Sequence, residues 1–232
     1  MPRPDRARAM TAPGPLILHD YWRSGASYRV RIALNIKGLA YEQVAHDLRT
    51  GAQRAPDYLA LNLQGLVPAL VTDGGLLTQS LAIIEYLDET CPDPPLLPEG
   101  AADRAMVRAM AAAIACDIHP LHNARVLGWL GDALGADEPA RQRWIAHWVG
   151  TGFTALEAMI RQHGRGFAFG SRLSLVDCCL VPQLYAARRF GVALESFPAL
   201  IEAAENAAGD PRVAAAHPDR QPDAPEAAAP HI

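Results

Sequence analysis

"HDYWRSGASYRVRIALNIKG", His19 to Gly38, decides the fold. The apolar "LILH" before it, Leu16 to His19, reads as a short buried strand. The stretch itself runs through a loop of small residues into a helical pattern. Val30, Ala33, Leu34 and Ile36 fall near one face of that pattern, and Gly38 stops it. "YEQVAHDL", Tyr41 to Leu48, alternates as a second strand, so the chain opens β-α-β. After a polar loop, "PALVT" and "GLLTQ" are two apolar runs parted by Asp73-Gly74-Gly75, a hairpin signal. "SLAIIEYLDET" then places Leu81, Ile84 and Leu87 at helical spacing. The order βαβ-ββα implies a mixed four-stranded sheet with helices packed on it.

"CPDPPLLPEG" interrupts this with four prolines. No strand pattern follows it. "ADRAMVRAMAAAIACDIHPLHNARVLGWLGDAL", "EPARQRWIAHWVGTGFTALEAMIRQH" and "SLVDCCLVPQLYAARRF" read as helices, with Pro120 and Pro182 expected to kink or interrupt theirs. The fold class is therefore an α/β half followed by an all-α half. The expected divisions are a disordered leader at 1–14, an α/β domain at 15–90, a linker at 91–98, an all-helical domain at 99–217 and a disordered Pro- and Ala-rich tail at 218–232. Ser174 and Asp177, three apart before an apolar run, form a capping-box pattern, which concerns the fold and not chemistry.

At 232 residues the chain can bury a substantial core. A net charge of −4 gives no electrostatic reason to expect nucleic acid or an anionic membrane as partner, so any anion site must be local. No run of eighteen apolar residues suggests a membrane span. The four cysteines form no C-x-x-C pair, and the adjacent Cys178 and Cys179 are poorly placed to bridge each other. They read as reduced thiols of a cytoplasmic protein. Cys116, His119 and His122 recur every three residues, but Pro120 disturbs their common face and a fourth ligand is lacking, so no metal is expected.

Three features carry chemistry. Pro68 sits at the mouth of a strand; a cis bond there would present the N–H and C=O of Val67 to an extended peptide, while a trans proline would merely start the strand. Gln79 and Ser80 stand at a helix start, which attracts a carboxylate, although Ser80 could simply cap its own helix. Ser24 and Ser27 flank Gly25 and Ala26 at another helix start.

Together with "YWRSGASYRVRIALNIKGLAYE", "LVPAL", "TQSLAIIEYLDE", "LLPEG", "CDIHPLHNARVL" and "LSLVDCCLVPQLYAARRF", these features resemble the zeta class of glutathione transferases, in order from about Leu16 to Leu200. The resemblance implies a thioredoxin-like N-terminal domain, an all-helical C-terminal domain and a homodimer. It places the γ-glutamyl end of glutathione at Gln79 and Ser80, its cysteinyl backbone on Val67, and its sulfur near Ser24, Gly25, Ala26 and Ser27, with Gln53, His119 and Asn123 as further contacts. It gives Ser24 the stabilisation of the thiolate. Arg23, Arg125 and Arg189 are implied to hold the two carboxylates of a maleyl keto acid, with Arg23 also favouring the charge that develops during reaction.

The class commonly has Ser-Ser-Cys-Ser where this chain has Ser24-Gly25-Ala26-Ser27. A thiol has a pKa near ~8.5, and a hydroxyl donor plus a helix N-terminus favour its anion, so glutathione can provide the sulfur without a protein cysteine. The implied reaction is glutathione-dependent cis-trans isomerisation of maleylacetoacetate or maleylpyruvate, with the Gly25-Ala26 loop and Arg125 nearer the maleylpyruvate branch. A transferase or dehalogenase of small α-halo acids, and a glutathione-binding scaffold without chemistry, are the competing readings.

Overall fold

The computed structural model describes residues 14–225; the expected leader up to residue 13 and the end of the expected tail from residue 226 lie outside them. Strands β1 (Ile17–Asp20), β2 (Glu42–Ala45), β3 (Ala69–Thr72) and β4 (Gly75–Thr78) form one sheet in the order β2-β1-β3-β4. β1 and β2 are parallel, with Leu18 opposite Gln43. β3 runs antiparallel to β1 and to β4, with Leu70 opposite both Leu18 and Leu77. The crossover between the parallel strands is helix α1 (Gly25–Ile36), as a parallel pair requires. Asp73 and Gly74 make the β3–β4 turn, where the Gly74 amide donates to Thr72 Oγ1 at 3.1 Å. β2 is shorter than its alternating pattern suggested.

The polar loop before β3 holds more than the sequence indicated. It contains a 3₁₀ turn, Ala52–Arg54, and helix α2 (Pro56–Leu61), which has Pro56 at its first position and buries only Tyr58. The Tyr58 hydroxyl and the Asn62 side-chain Nδ2 both donate to the Leu66 carbonyl, at 2.6 and 2.9 Å, and so fix the approach to Val67. Helix α3 (Ser80–Thr90) follows β4 directly.

Past the prolines come α4 (Ala101–Ala112), a π-helical segment at 113–118, a 3₁₀ turn at His119–His122 and α5 (Ala124–Leu134). Pro120 interrupts its helix as expected, whereas Pro182 lies inside an uninterrupted α7 (Leu175–Arg189). The long α6 (Glu138–His163), together with α8 (Pro198–Ala208) and α9 (Pro211–Ala215), completes the helical half. Ser174 and Asp177 form the capping box at the start of α7, where the buried Asp177 carboxylate accepts from the amides of Ala168 and Ser174 and from the Ser174 hydroxyl. Burial pushes its pKa up to about 6 in spite of those donors.

One core runs through both halves, from Leu18, Val30 and Leu34 to Val176, Leu180 and Leu200. The proline-rich linker is stitched to it: Asp88 accepts from Lys37 Nζ at 2.6 Å and from the Leu96 amide at 2.8 Å, and Leu96 is buried. The expected disordered tail needs correction for residues 218–225. Pro218–Arg220 is a 3₁₀ turn, Pro218 and Gln221 are buried, and the Asp223 carboxylate accepts from the Trp22 amide at 2.9 Å. Composition suggested a solvated tail, but the side chains of Gln221 and Asp223 find partners on the first half of the chain.

Candidate active site

Ser24, Ala26, Gln53, Val67, Gln79, Ser80, His119, Asn123 and Arg125 all line one cavity of about 1070 Å³ between the sheet half and the π-helical turn. Its geometry begins at Ser24, the N-cap of α1. Ser24 Oγ accepts from the Ser27 amide at 3.3 Å, so the hydroxyl proton stays available to an occupant of the cavity. Capping and ligand binding are therefore compatible uses of one oxygen. Ser27 does not line the cavity; it is fully buried, and its hydroxyl has no partner. Gly25 lies behind Ser24 against His119. A Cβ at Gly25 would stand 3.3 Å from His119 Cε1, so the glycine gives that ring its space.

The Val67–Pro68 peptide is cis. Among the described residues the N–H and C=O of Val67 take no hydrogen bond, just before the ladder of β3 begins. Gln79 adopts φ 70° and ψ 115°, and is the only non-glycine at positive φ among the described residues. That backbone costs roughly 1–3 kcal/mol and turns the chain from β4 into the first turn of α3, where Ser80 is buried. The Gln79 side chain donates from Nε2 to Gln64 Oε1 at 3.2 Å. Gln53 Oε1 is buried without a donor, another polar atom facing an unfilled requirement.

On the opposite wall Asn123 caps α5 by accepting from the Arg125 amide, and Arg125 projects from that first turn. Burial, then the Arg29 cation and then His122, hold His119 well below the usual histidine range, so it is neutral at pH 7. His122 pairs with Gln183, its Nε2 lying 2.9 Å from Gln183 Nε2 and 3.2 Å from Oε1. Among the described residues no group of three or more His, Cys, Asp or Glu is placed to hold a metal, and all four cysteines are free thiols.

Arg23 and Arg189 do not line this cavity. Arg23 lies over Trp22, Arg189 over Phe190 at 4.1 Å, and desolvation followed by the Arg23 charge lowers the pKa of Arg189. Neither forms an ion pair among the described residues. Cations that sequence spacing did not single out do line the cavity: Arg29 at its floor and Arg49 and Arg54 at its exposed rim. Arg49 is engaged by Asp47 at 2.7 Å. Only Arg29 carried a possible signal, as the first of two arginines in an otherwise apolar helix.

Such a sheet, with a free backbone edge before a cis proline and two helix starts at one cleft, defines a fold of the thioredoxin-like kind. The chain matches the family "Glutathione S-transferase, N-terminal domain" over residues 14–89 and "Glutathione S-transferase, C-terminal domain" over 138–218. It is 53% identical over 213 residues to the maleylacetoacetate isomerase of Pseudomonas aeruginosa, covering 90% of this chain and 99% of that one. A holo structure of maleyl pyruvate isomerase, a zeta-class bacterial glutathione S-transferase, superposes with a TM-score of 0.88 at 43% identity, over 90% of this chain and all of that one. Maleylacetoacetate isomerase from Methylobacterium extorquens, solved with bound malonate and glutathione, gives 0.87 at 42% identity, over 90% and 99%. The chain belongs to the zeta class of the glutathione S-transferase family.

Proposed function

We propose that the protein is a glutathione-dependent cis-trans isomerase that converts a maleyl keto acid, maleylacetoacetate or maleylpyruvate, to its fumaryl isomer. One observation carries the reading: the Ser24 hydroxyl, the free backbone of Val67 and the Gln79-Ser80 helix start face a single cavity. That set fits glutathione. An extended peptide can pair with Val67, a carboxylate suits the amides opening α3, and a thiol suits the hydroxyl at the start of α1. Relatives named for this isomerisation, one of them solved with glutathione bound, support the same reading.

Bound glutathione supplies a thiolate whose reversible addition to the conjugated double bond allows rotation, and it is regenerated. The residues of the chain do the rest. Ser24 would donate a hydrogen bond from its hydroxyl to the sulfur anion while keeping its proton, and the positive end of α1 adds to that preference. Gln53, Asn123 and the neutral His119 line the walls without adding charge. Arg125 at the rim, and Arg23 with Arg189 beside the loop, hold the carboxylates of the substrate; two guanidiniums without carboxylate partners suit a dianion.

A homodimer in a reducing, cytoplasmic setting accompanies this reading. The four thiols are unpaired, as a reducing setting allows. No helix among the described residues is long and apolar enough to cross a membrane. The deciding experiment is an ultraviolet assay of maleylpyruvate and maleylacetoacetate, with and without glutathione, alongside a thiol titration. Glutathione-dependent conversion without loss of thiol is expected. Thiol consumption with α-halo acids and no isomerisation would favour the transferase instead.

A further inference from the structure

Helix α1 buries two guanidiniums two residues apart and treats them differently. Arg31, 0% exposed, is matched on every side: Nη1 meets both oxygens of Asp20 at 2.9 and 2.8 Å, Nη2 donates to the Trp22 carbonyl at 2.9 Å, and Nε to the Ala216 carbonyl at 3.1 Å. Arg29, 2% exposed, donates only from Nη1, to Ser80 Oγ at 3.2 Å. Its Nε and Nη2 have no acceptor, and no carboxylate pairs with it among the described residues. An uncompensated buried charge costs several kcal/mol, and a fold that keeps one at the floor of a cavity leaves its counter-charge to whatever fills that cavity. The titratable side chains beside Arg29 are Cys179, whose thiol burial pushes up to about 11, Cys116 and the neutral His119, none of them a carboxylate.

The link through Ser80 identifies the anion. Because Arg29 takes up a lone pair of Ser80 Oγ, the hydroxyl is committed to donating its own proton elsewhere, at the open N-terminus of α3. A carboxylate seated there meets the hydroxyl, the first amides of the helix and, one side chain below, a desolvated cation. Arg49, Arg54 and Arg125 are exposed at the rim, where solvent and salt weaken their pull. We propose that Arg29 is a positioning residue for glutathione: it orients the Ser80 hydroxyl as a donor and acts as buried counter-charge to the γ-glutamyl α-carboxylate. This rests on glutathione being the occupant.

The test pairs ligand and protein changes. Calorimetry would give the Kd of glutathione, and of its analogue with the γ-glutamyl α-carboxylate converted to a carboxamide, for the unaltered protein, Arg29→Met, Arg29→Lys and Ser80→Ala. The unaltered protein should prefer glutathione by roughly 30-fold or more; Arg29→Met should bind glutathione ~10-fold more weakly and prefer it by less than ~3-fold. Arg29→Lys should recover part of the preference, which a purely structural role would not produce. Full preference retained in Arg29→Met overturns the proposal. Should Arg29→Met fail to fold, Arg29→Gln decides: a preference cut at least ~5-fold supports the counter-charge, and an unchanged one overturns it, with Ser80→Ala as the reference for loss of the direct hydroxyl contact alone. An unaltered protein that binds glutathione without preferring the carboxylate refutes only this inference, whereas one that binds no glutathione removes the functional reading itself.

Discussion

Arg31 Nη1 contacts both carboxylate oxygens of Asp20, at 2.9 and 2.8 Å, and both side chains are withdrawn from solvent. Asp20 ends β1 and Arg31 lies in α1, so the pair ties strand to helix across the loop that carries Ser24. Asp20 also accepts from Gln43 Nε2 on the neighbouring strand, at 3.0 Å. Asp20→Asn should therefore destabilise the protein by about 3–5 kcal/mol, because it strands a buried cation. Replacing both residues with apolar ones should cost less than the single change. Urea titration of the two variants checks the order, and an inverted order would mean that the pair does not act as a unit.

Ser24→Ala should lower kcat by about 10- to 100-fold, in line with the loss of one hydrogen bond to a charged group, and raise KM for the maleyl substrate far less. It should also cost ~1 kcal/mol of stability through the lost cap. Undiminished turnover would exclude a role for this hydroxyl at the sulfur. The thiolate absorbance of bound glutathione against pH gives the same answer without substrate: the alanine variant should need a higher pH to ionise the thiol.

Arg23→Met and Arg189→Met should each raise KM for a maleyl keto acid by ~10-fold, with less than additive effects in the double variant, as for groups holding one dianion. Steady-state kinetics on the three variants settles it. Strict additivity would place the two arginines on separate carboxylates.

Asp177 supplies a pH signature. Folded, its carboxyl keeps the proton up to about pH 6, whereas unfolded it releases it near ~4, so in that window the folded state binds more protons. Its contribution to stability is then greatest at the acid end and declines as pH rises from ~4 to ~6. Asp177→Asn removes that titration but leaves an amide facing the donors of Ser174. The variant should be less stable throughout, and the gap should narrow with rising pH across the window, as read by denaturant unfolding at several pH values. A gap that widens with pH would reverse the assigned direction.

Where the sequence carried a regular period, it located the elements. β1, α1, the β3–β4 hairpin and α3 followed from alternation, helical spacing and an Asp-Gly turn, and Pro120 marked the break between α4 and α5. Helix α2 escaped because "PDYLAL" is only six residues long and buries one side chain, too little for a pattern. The ordered stretch Pro218 to Asp223 escaped because its partners are 178 to 201 residues away, and composition is blind to such contacts. The site divides in the same way. Local motifs and the family resemblance together named nine residues that line the cavity, but "RVR" does not say which arginine meets Asp20 and which is left for a ligand. Likewise, Gly25 reads as a lost serine until the His119 ring is seen against it.

The bond from Arg31 Nε to the Ala216 carbonyl has a temporal side, because its two ends lie 185 residues apart in the chain. At about 5–20 residues per second on the ribosome, roughly 10–40 s separate the synthesis of those ends. During that interval the βαβ unit emerges with an acceptor for Arg31 still to be made and with the α1 face that packs on α7 still bare. The first half of this chain can collapse early, but it reaches its final state only when the last helices arrive, so the order of synthesis leaves the α1 face exposed throughout that interval.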